Sequence, residues 1–308
     1  MRHRIPLIAF ILCLIFPFVS PNEYYIHVAC MVGIWVILTI GLNLIYGYTG
    51  QISLGHGAFY GIGAYGVSYF EMHLGAPFLL SILMAVAVSG LFAFLLGIPT
   101  LRLSHHYLAL ATLGFGIVME IIMIQWGAVT GGASGLYGIP DLQILGFSLQ
   151  GTRYYFILLL GAFLVYYLNQ NILRSSFGRA FAAIRESEIA GGTLGINTAL
   201  YKNLAFTISA MMAALAGCLY AHLNQYLSPE LFGPYTSIYI LSAVVVGGKG
   251  KTLGAVIGAL FIILLPEFLY IAAEYAILVN AVILLVILVF FPQGIAGFIE
   301  MKVKRKLI

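Results

Sequence analysis

The sequence carries little charge. Fourteen Lys and Arg and ten Asp and Glu make up only 8% of its 308 residues, against roughly 25% in a soluble globular domain. Too few ionised groups are present to solvate a surface of this size, so lipid must supply much of the solvent. Cysteine is equally scarce. Cys13, Cys30 and Cys218 lie in apolar runs, odd in number and without CxxC spacing, which excludes a disulfide framework or thiolate metal site and fits small core residues. No HExxH, no Ser–His–Asp set and no converging carboxylates stand out, and the adjacent His105 and His106 point apart on a helix. The chain is therefore not expected to be an enzyme or to hold a metal. Its basic residues are too scattered for a nucleic-acid stripe, despite a pI of 8.9.

Nucleotide-binding signatures are missing as well. Gly61-Ile-Gly63-Ala-Tyr-Gly66 has the GxGxxG spacing, but no soluble strand precedes it and no acid follows about 20 residues on. Val244–Thr252 ends in GKT, yet Val245 stands where the phosphate loop needs its first glycine, and an apolar segment follows at once. Close helix packing explains the first motif, and the second is rejected as a nucleotide site. Any ATP must be bound by another chain.

What remains is apolar. Hydrophobic residues reach 62% and mean hydropathy is +1.05. With about 20 residues needed per membrane helix, candidate spans fall at 5–20, 24–46, 57–72, 77–98, 105–126, 153–172, 203–225, 236–247, 252–271 and 276–291. The basic start and apolar run of residues 1–21 resemble a signal peptide, but without a clear cleavage site and with Pro17 inside it the run reads as an uncleaved first helix. About ten spans put both termini on one side. Arg2, Arg4, Arg102, Arg174, Arg179, Arg185, Lys202, Lys249, Lys251, Lys302, Lys304, Arg305 and Lys306 then share that side, and only Arg153 lies opposite, with Glu23, Glu71, Asp141, Glu230 and Glu274. The positive-inside rule makes the basic side cytoplasmic. The expected fold class is an all-α polytopic membrane protein, a single domain over 1–308.

Two glycine-rich breaks interrupt the apolar pattern, Gly47–Gly57 and Gly247–Gly254, each leading into a GxxxG pair, Gly57/Gly61 and Gly254/Gly258. Paired interruptions in the two halves of a transporter point toward its pathway. In the first break Tyr48, Thr49, Gly50, Gln51, Ser53 and His56 bring polar groups to irregular backbone, the candidate substrate pathway for a zwitterionic solute; an ordinary cytoplasmic turn is the alternative. Glu120 and Glu267, toward the outer ends of spans, are either functional carboxylates or interfacial ones. The glycine-rich outer loop 127–152 reads as a docking surface or a plain connector.

The polar exception is the loop 173–202, which holds Arg174, Arg179, Arg185, Glu186, Glu188 and Lys202. Phe177, Phe181 and Ile184 recur at helical spacing opposite Arg179 and Arg185, describing a short amphipathic helix on the membrane surface. Gly191, Gly192 and Gly195 follow it. Such a loop is expected to meet a soluble partner.

The stretches 41–65 (GLNLIYGYTGQISLGHGAFYGIGAY), 130–140 (TGGASGLYGIP), 178–197 (GRAFAAIRESEIAGGTLGIN) and 244–259 (VVVGGKGKTLGAVIGA) resemble the permeases of branched-chain amino acid ABC importers, of the LivM type. The resemblance implies a bacterial inner-membrane subunit with glycine-broken helices. It also implies a homologous second permease, two cytoplasmic ATP-binding subunits that supply the only nucleotide site, and an extracytoplasmic binding protein. By the same resemblance Arg185, Glu186, Glu188, Ala190, Gly195 and Asn197 would form the element that grips an ATP-binding subunit, though four residues rather than three separate Ala190 from Gly195. The rival expectation is an ion-coupled secondary transporter that uses Glu120 or Glu267.

Overall fold

The computed structural model describes residues 4–20, 22–100, 105–144, 147–268, 282, 285–286 and 294–298, and these are mostly helical. In chain order the helices are α1 (Arg4–Val19), α2 (Glu23–Thr49), α3 (His56–Leu74), α4 (Phe78–Thr100), α5 (His105–Gln125), α6 (Gly127–Thr130), α7 (Thr152–Arg174), α8 (Ser176–Glu186), α9 (Glu188–Thr193), α10 (Thr198–Asn224), α11 (Pro234–Gly247) and α12 (Thr252–Phe268). The strands β1 (Leu136–Tyr137), β2 (Gln143–Ile144), β3 (Phe147–Ser148) and β4 (Tyr226–Leu227) form two antiparallel pairs, β1 with β4 and β2 with β3. Each expected apolar segment from 5–20 to 252–271 coincides with a helix. The expected span 276–291 lies largely outside the described residues, as do Arg2, Arg102, Glu274, Lys302, Lys304, Arg305 and Lys306.

Among the described residues five helices, α2, α4, α5, α7 and α10, are long and apolar enough to cross a membrane, and α11 and α12 are shorter apolar helices. They lack a strong polar face, as expected where both lipid and protein are apolar neighbours. Their burial sorts them. The most apolar windows of α2 and α10 are 61% and 67% buried, those of α4, α5 and α7 only 22–28%. α2, α3 and α10 therefore make the centre, and the others wrap it.

Missing side chains bring the central helices together. α3 and α10 run parallel, with Gly63 against the Ala214 backbone and Gly217 against the Tyr60 carbonyl. Cys218 Sγ donates to Gly63 O at 3.3 Å across this seam. α11 and α12 form a hairpin in which Gly247 meets Gly254 and Gly258 meets Ala243, so the second GxxxG pair is a helix-packing device. α1 lies against α7 through Phe10–Phe163 (ring centroids 4.4 Å) and a bond from Tyr155 OH to Cys13 O at 2.8 Å.

The two ends of the bundle differ in charge. One end gathers the C-terminus of α2, the α11–α12 turn, α8, α9 and the start of α10, and with them Arg174, Arg179, Arg185, Lys202, Lys249 and Lys251. The other end is acidic. There Glu71 accepts from His222 Nε2 at 2.9 Å, Tyr24 OH binds Glu267, and Asp141 accepts from Gln150 and Gln225. The β1–β4 pair, with Leu136 opposite Leu227 and Tyr137 stacked on Tyr226, ties the loop 127–152 to the end of α10. Phe232, fully buried among Tyr60, Tyr65 and Tyr220, draws the segment after β4 back into the bundle before α11 begins.

Candidate functional site

α2 ends on Gly50, whose φ of +76° suits the left-handed closing turn; the Gln51 amide bonds back to Ile45 O. Residues 51–55 then form neither helix nor strand, with a bend at Leu54; Gln51, Ser53 and Gly55 are buried and Ile52 and Leu54 part-exposed. The segment climbs alongside α2 instead of turning at its end. His56 Nε2 lies 2.6 Å from Ser209 Oγ, and Ser209 Oγ donates in turn to Gly41 O. Gly41 lies about 12 Å along the helix axis from the end of α2, and Ser209 about 16 Å in from the start of α10. α3 therefore begins well inside the bundle.

The polar groups of this break are bonded to one another. With Ser209 donating to Gly41 O, His56 Nε2–H donates to Ser209 Oγ, and His56 Nδ1 accepts from Ser53 Oγ at 3.0 Å. Leu54 N donates to Thr112 Oγ1 at 3.0 Å, and Gly57 N to Ser237 Oγ at 2.8 Å. Thr49 Oγ1 donates to Ile45 O at 2.6 Å and lies 3.1 Å from Gln51 Oε1, while Tyr48 OH lies 3.2 Å from Thr252 Oγ1. Among the described residues Gln51 Nε2 has no partner. The six pathway candidates thus share one region, Gly50 and Tyr48 at its part-exposed edge and the other four inside. The start of α11 closes on the same place, because Gly57 faces the carbonyls of Phe232 and Gly233.

The second break sits directly against the first. Asn43, fully buried in α2, accepts from Gly250 N through Oδ1 at 2.9 Å and donates through Nδ2 to Lys251 O at 3.1 Å. One amide side chain bonds two adjacent residues of the α11–α12 turn. Thr39 Oγ1 reaches Ala255 O at 3.0 Å, and Asn169 Nδ2 donates to Thr252 Oγ1 at 3.2 Å. Gly47 packs on Gly250: a Cβ on Gly47 would fall 2.4 Å from Gly250 N, and one on Gly250 3.0 Å from Gly47 O. The two glycine-rich breaks are thus one structural unit. The sequence reading overlooked Asn43 and Asn169; the available signal was an amide isolated in an apolar run, costly unless bonded.

The loop helices α8 and α9 follow Ser caps, Ser175 accepting from Phe177 N and Ser187 from Ala190 N, both at 3.2 Å. α8 buries Ala180, Phe181 and Ile184 on the bundle's own helices, with Phe177 and Phe181 beside Tyr201. Its apolar face is turned to protein, where a free surface helix was expected. Arg185 was placed on the opposite face; its side chain instead folds back, and Nη1 donates to Gly47 O at 2.7 Å. Glu188 binds the buried Lys202 at 2.9 Å, Gly195 N closes on Gly192 O, and Asn197 Oδ1 caps α10 by accepting from Leu200 N at 3.1 Å. Glu186 and Ala190 are exposed. So are Ile189 (83%) and Leu194 (78%), apolar side chains at the basic end that the reading of a charged loop missed. Glu188→Gln is expected to leave Lys202 facing a neutral amide, at a cost of about 1 kcal/mol for a half-exposed pair. Faster hydrogen exchange over residues 187–196, with the bundle unchanged, would register it.

Glu120 places its carboxylate against Gly233 at the head of α11, and Glu267 is held by Tyr24. A cavity of about 350 Å³ opens at the acidic end, lined in part by Glu23, His27, Asp141 and His222, roughly 20 Å along α10 from Ser209.

Residues 24–291 match the family model described as branched-chain amino acid transport system / permease component. The chain is 33% identical over 305 residues to the high-affinity branched-chain amino acid transport system permease protein LivM of Salmonella typhimurium, covering 91% of this chain and 72% of that one. It is 32% identical to LivM of Escherichia coli K12, with the same coverage. To the permease protein LivH of Salmonella typhimurium it is 29% identical over 287 residues, 85% of this chain and 91% of that one. No solved structure matches. A family model that matches residues 24–291, and a relative 33% identical over 91% of the chain, show that the chain belongs to the family of branched-chain amino acid transport permease components.

Proposed function

We propose that this chain is one membrane-spanning permease subunit of an ATP-driven importer for branched-chain amino acids or a closely related small amino acid or amide. The observation that carries the reading is the family match along residues 24–291, with relatives named as LivM and LivH on either side of 30% identity. In this reading the subunit crosses the inner membrane about ten times, with the basic end and both termini in the cytoplasm, in keeping with the segregation of charge along the bundle. A homologous permease completes the path, a binding protein delivers substrate at the acidic end, and two cytoplasmic subunits bind the ATP. The exposed Ile189 and Leu194, with Glu186 beside them, give α8–α9 a surface suited to such a subunit.

The break 47–57 borders the path. Thr49, Gln51, Ser53 and His56 hold its backbone in shape from inside, and Tyr48, Gly50, Ile52 and Leu54 present its part-exposed edge. Backbone without regular helix survives at this depth only when bonded within protein or facing water, and both conditions are available here. Because such a path lies between subunits, the chain alone transports nothing.

Reconstitution tests this. The chain is placed in liposomes alone, or with a second permease, ATP-binding subunits and a binding protein. Uptake of leucine, isoleucine or valine only in the full set, and only with ATP, is the expected result. Uptake by the lone chain under a proton or sodium gradient would replace the importer with an ion-coupled transporter.

A further inference from the structure

We propose that Arg185 is the strut that carries movement of α8 to both glycine-rich breaks at once, a positioning residue for transport rather than a contact to the ATP-binding subunit. The proposal rests on the importer reading for its functional consequence and on geometry for its mechanics. The guanidinium lies in a notch made by two glycines. Nη1 donates to Gly47 O at 2.7 Å, and a methyl on Gly250 would come within 2.6 Å of the same nitrogen. Gly250 adopts φ +76°, which suits a residue without a side chain. The amide that would ordinarily satisfy Gly47 O within the helix is that of Gln51, which bonds instead to Ile45 O. Gly47 O is thus an orphan carbonyl at the negative end of α2, where a cation is favoured twice, by hydrogen bond and by dipole.

Three moving parts converge there. Behind Gly47 the chain enters the non-helical segment 51–55 and then α3. Behind Gly250 lies the α11–α12 turn, tied to α2 by Asn43. Arg185 itself is the penultimate residue of α8, whose other end is fixed to α7 by the short Ser175 junction. A displacement of α8 therefore pulls on one carbonyl at the junction of both breaks. Arg185 remains exposed overall, and Arg rather than Lys suits the place because its planar fork directs one N–H at the oxygen from a fixed orientation.

The test uses the full complex in liposomes, with uptake and ATP hydrolysis measured on the same vesicles, together with hydrogen exchange of residues 47–55 and 248–252. Arg185→Ala is expected to raise exchange at least tenfold in both segments. Hydrolysis should continue while substrate moved per ATP falls at least tenfold. Gly250→Ala, which crowds the notch from the other side, should reproduce the pattern, and combining the two should add little. Arg185→Lys should restore part of the ratio. Unchanged exchange in either segment, or a parallel loss of hydrolysis and of bound ATP-binding subunits, would overturn the strut, the latter by making Arg185 a partner contact. A wild-type complex without ATP-driven uptake would defeat the importer reading instead, and the exchange data would still decide whether the strut exists.

Discussion

Asn43→Leu is expected to destabilise the protein by about 1–3 kcal/mol, since the buried Gly250 amide loses its partner, while Lys251 O keeps the Ala255 amide. The side chain is fully buried, so water has no direct route to replace it. The loss falls on Gly250 N, where α11 reverses into α12. The turn also contains Lys249 and Lys251, which makes trypsin a direct reporter. Cleavage after Lys249 should accelerate in the variant well before the bundle melts. Asn43→Asp should not rescue it: the carboxylate still accepts from Gly250 N but faces the Lys251 carbonyl with no proton to give. Wild-type resistance of this turn to trypsin in Asn43→Leu would contradict the clamp.

Gly217→Val is expected to cost more than the about 1–3 kcal/mol typical of overpacking, because the obstacle is backbone. Its Cβ would fall on the Tyr60 carbonyl oxygen and within 2.8 Å of Ala64 N, neither of which turns aside as a side chain does. α3 and α10 would have to separate along their whole parallel seam. The reciprocal contact of Gly63 on Ala214 would open with it, and so would the bonds His56–Ser209 and His222–Glu71 at its two ends. Loss of a monodisperse peak in mild detergent and a fall in unfolding temperature are the expected readouts. Gly114→Ala is the matched control, since a methyl there meets no atom within 4 Å, and it should leave both readouts essentially unchanged.

Helix positions were legible in the sequence because long apolar runs have few ways to satisfy their backbone in lipid. The boundaries of α2 and α7 followed, to within a few residues, from where the runs stopped. Depth was not legible. Whether residues 50–55 turn at the surface or climb into the bundle depends on bonds from His56 to Ser209 and from Gly57 to Ser237, 153 and 180 positions away, and no local pattern encodes a partner so distant. The spacing of Phe177, Phe181 and Ile184 correctly gave α8 an apolar face, but lipid and protein are equally apolar neighbours, so spacing alone left open what that face meets. Arg185 was read outward for the same reason. On a helical wheel it is a solvated cation, and only the orphan carbonyl of Gly47 turns it inward.

The distances along the chain also set an order of assembly. Ser53 and His56 leave the ribosome long before Ser209, Ser237 and Lys251, the residues that hold their neighbourhood together. A polar, unpaired segment is not stable in hydrocarbon, so 50–55 must wait at the membrane surface, with α3 incompletely seated, until the chain has been made past Lys251. Biogenesis of this subunit is therefore gated late, and a chain truncated before Lys251 would present its most polar stretch to quality-control proteases instead of to its own core.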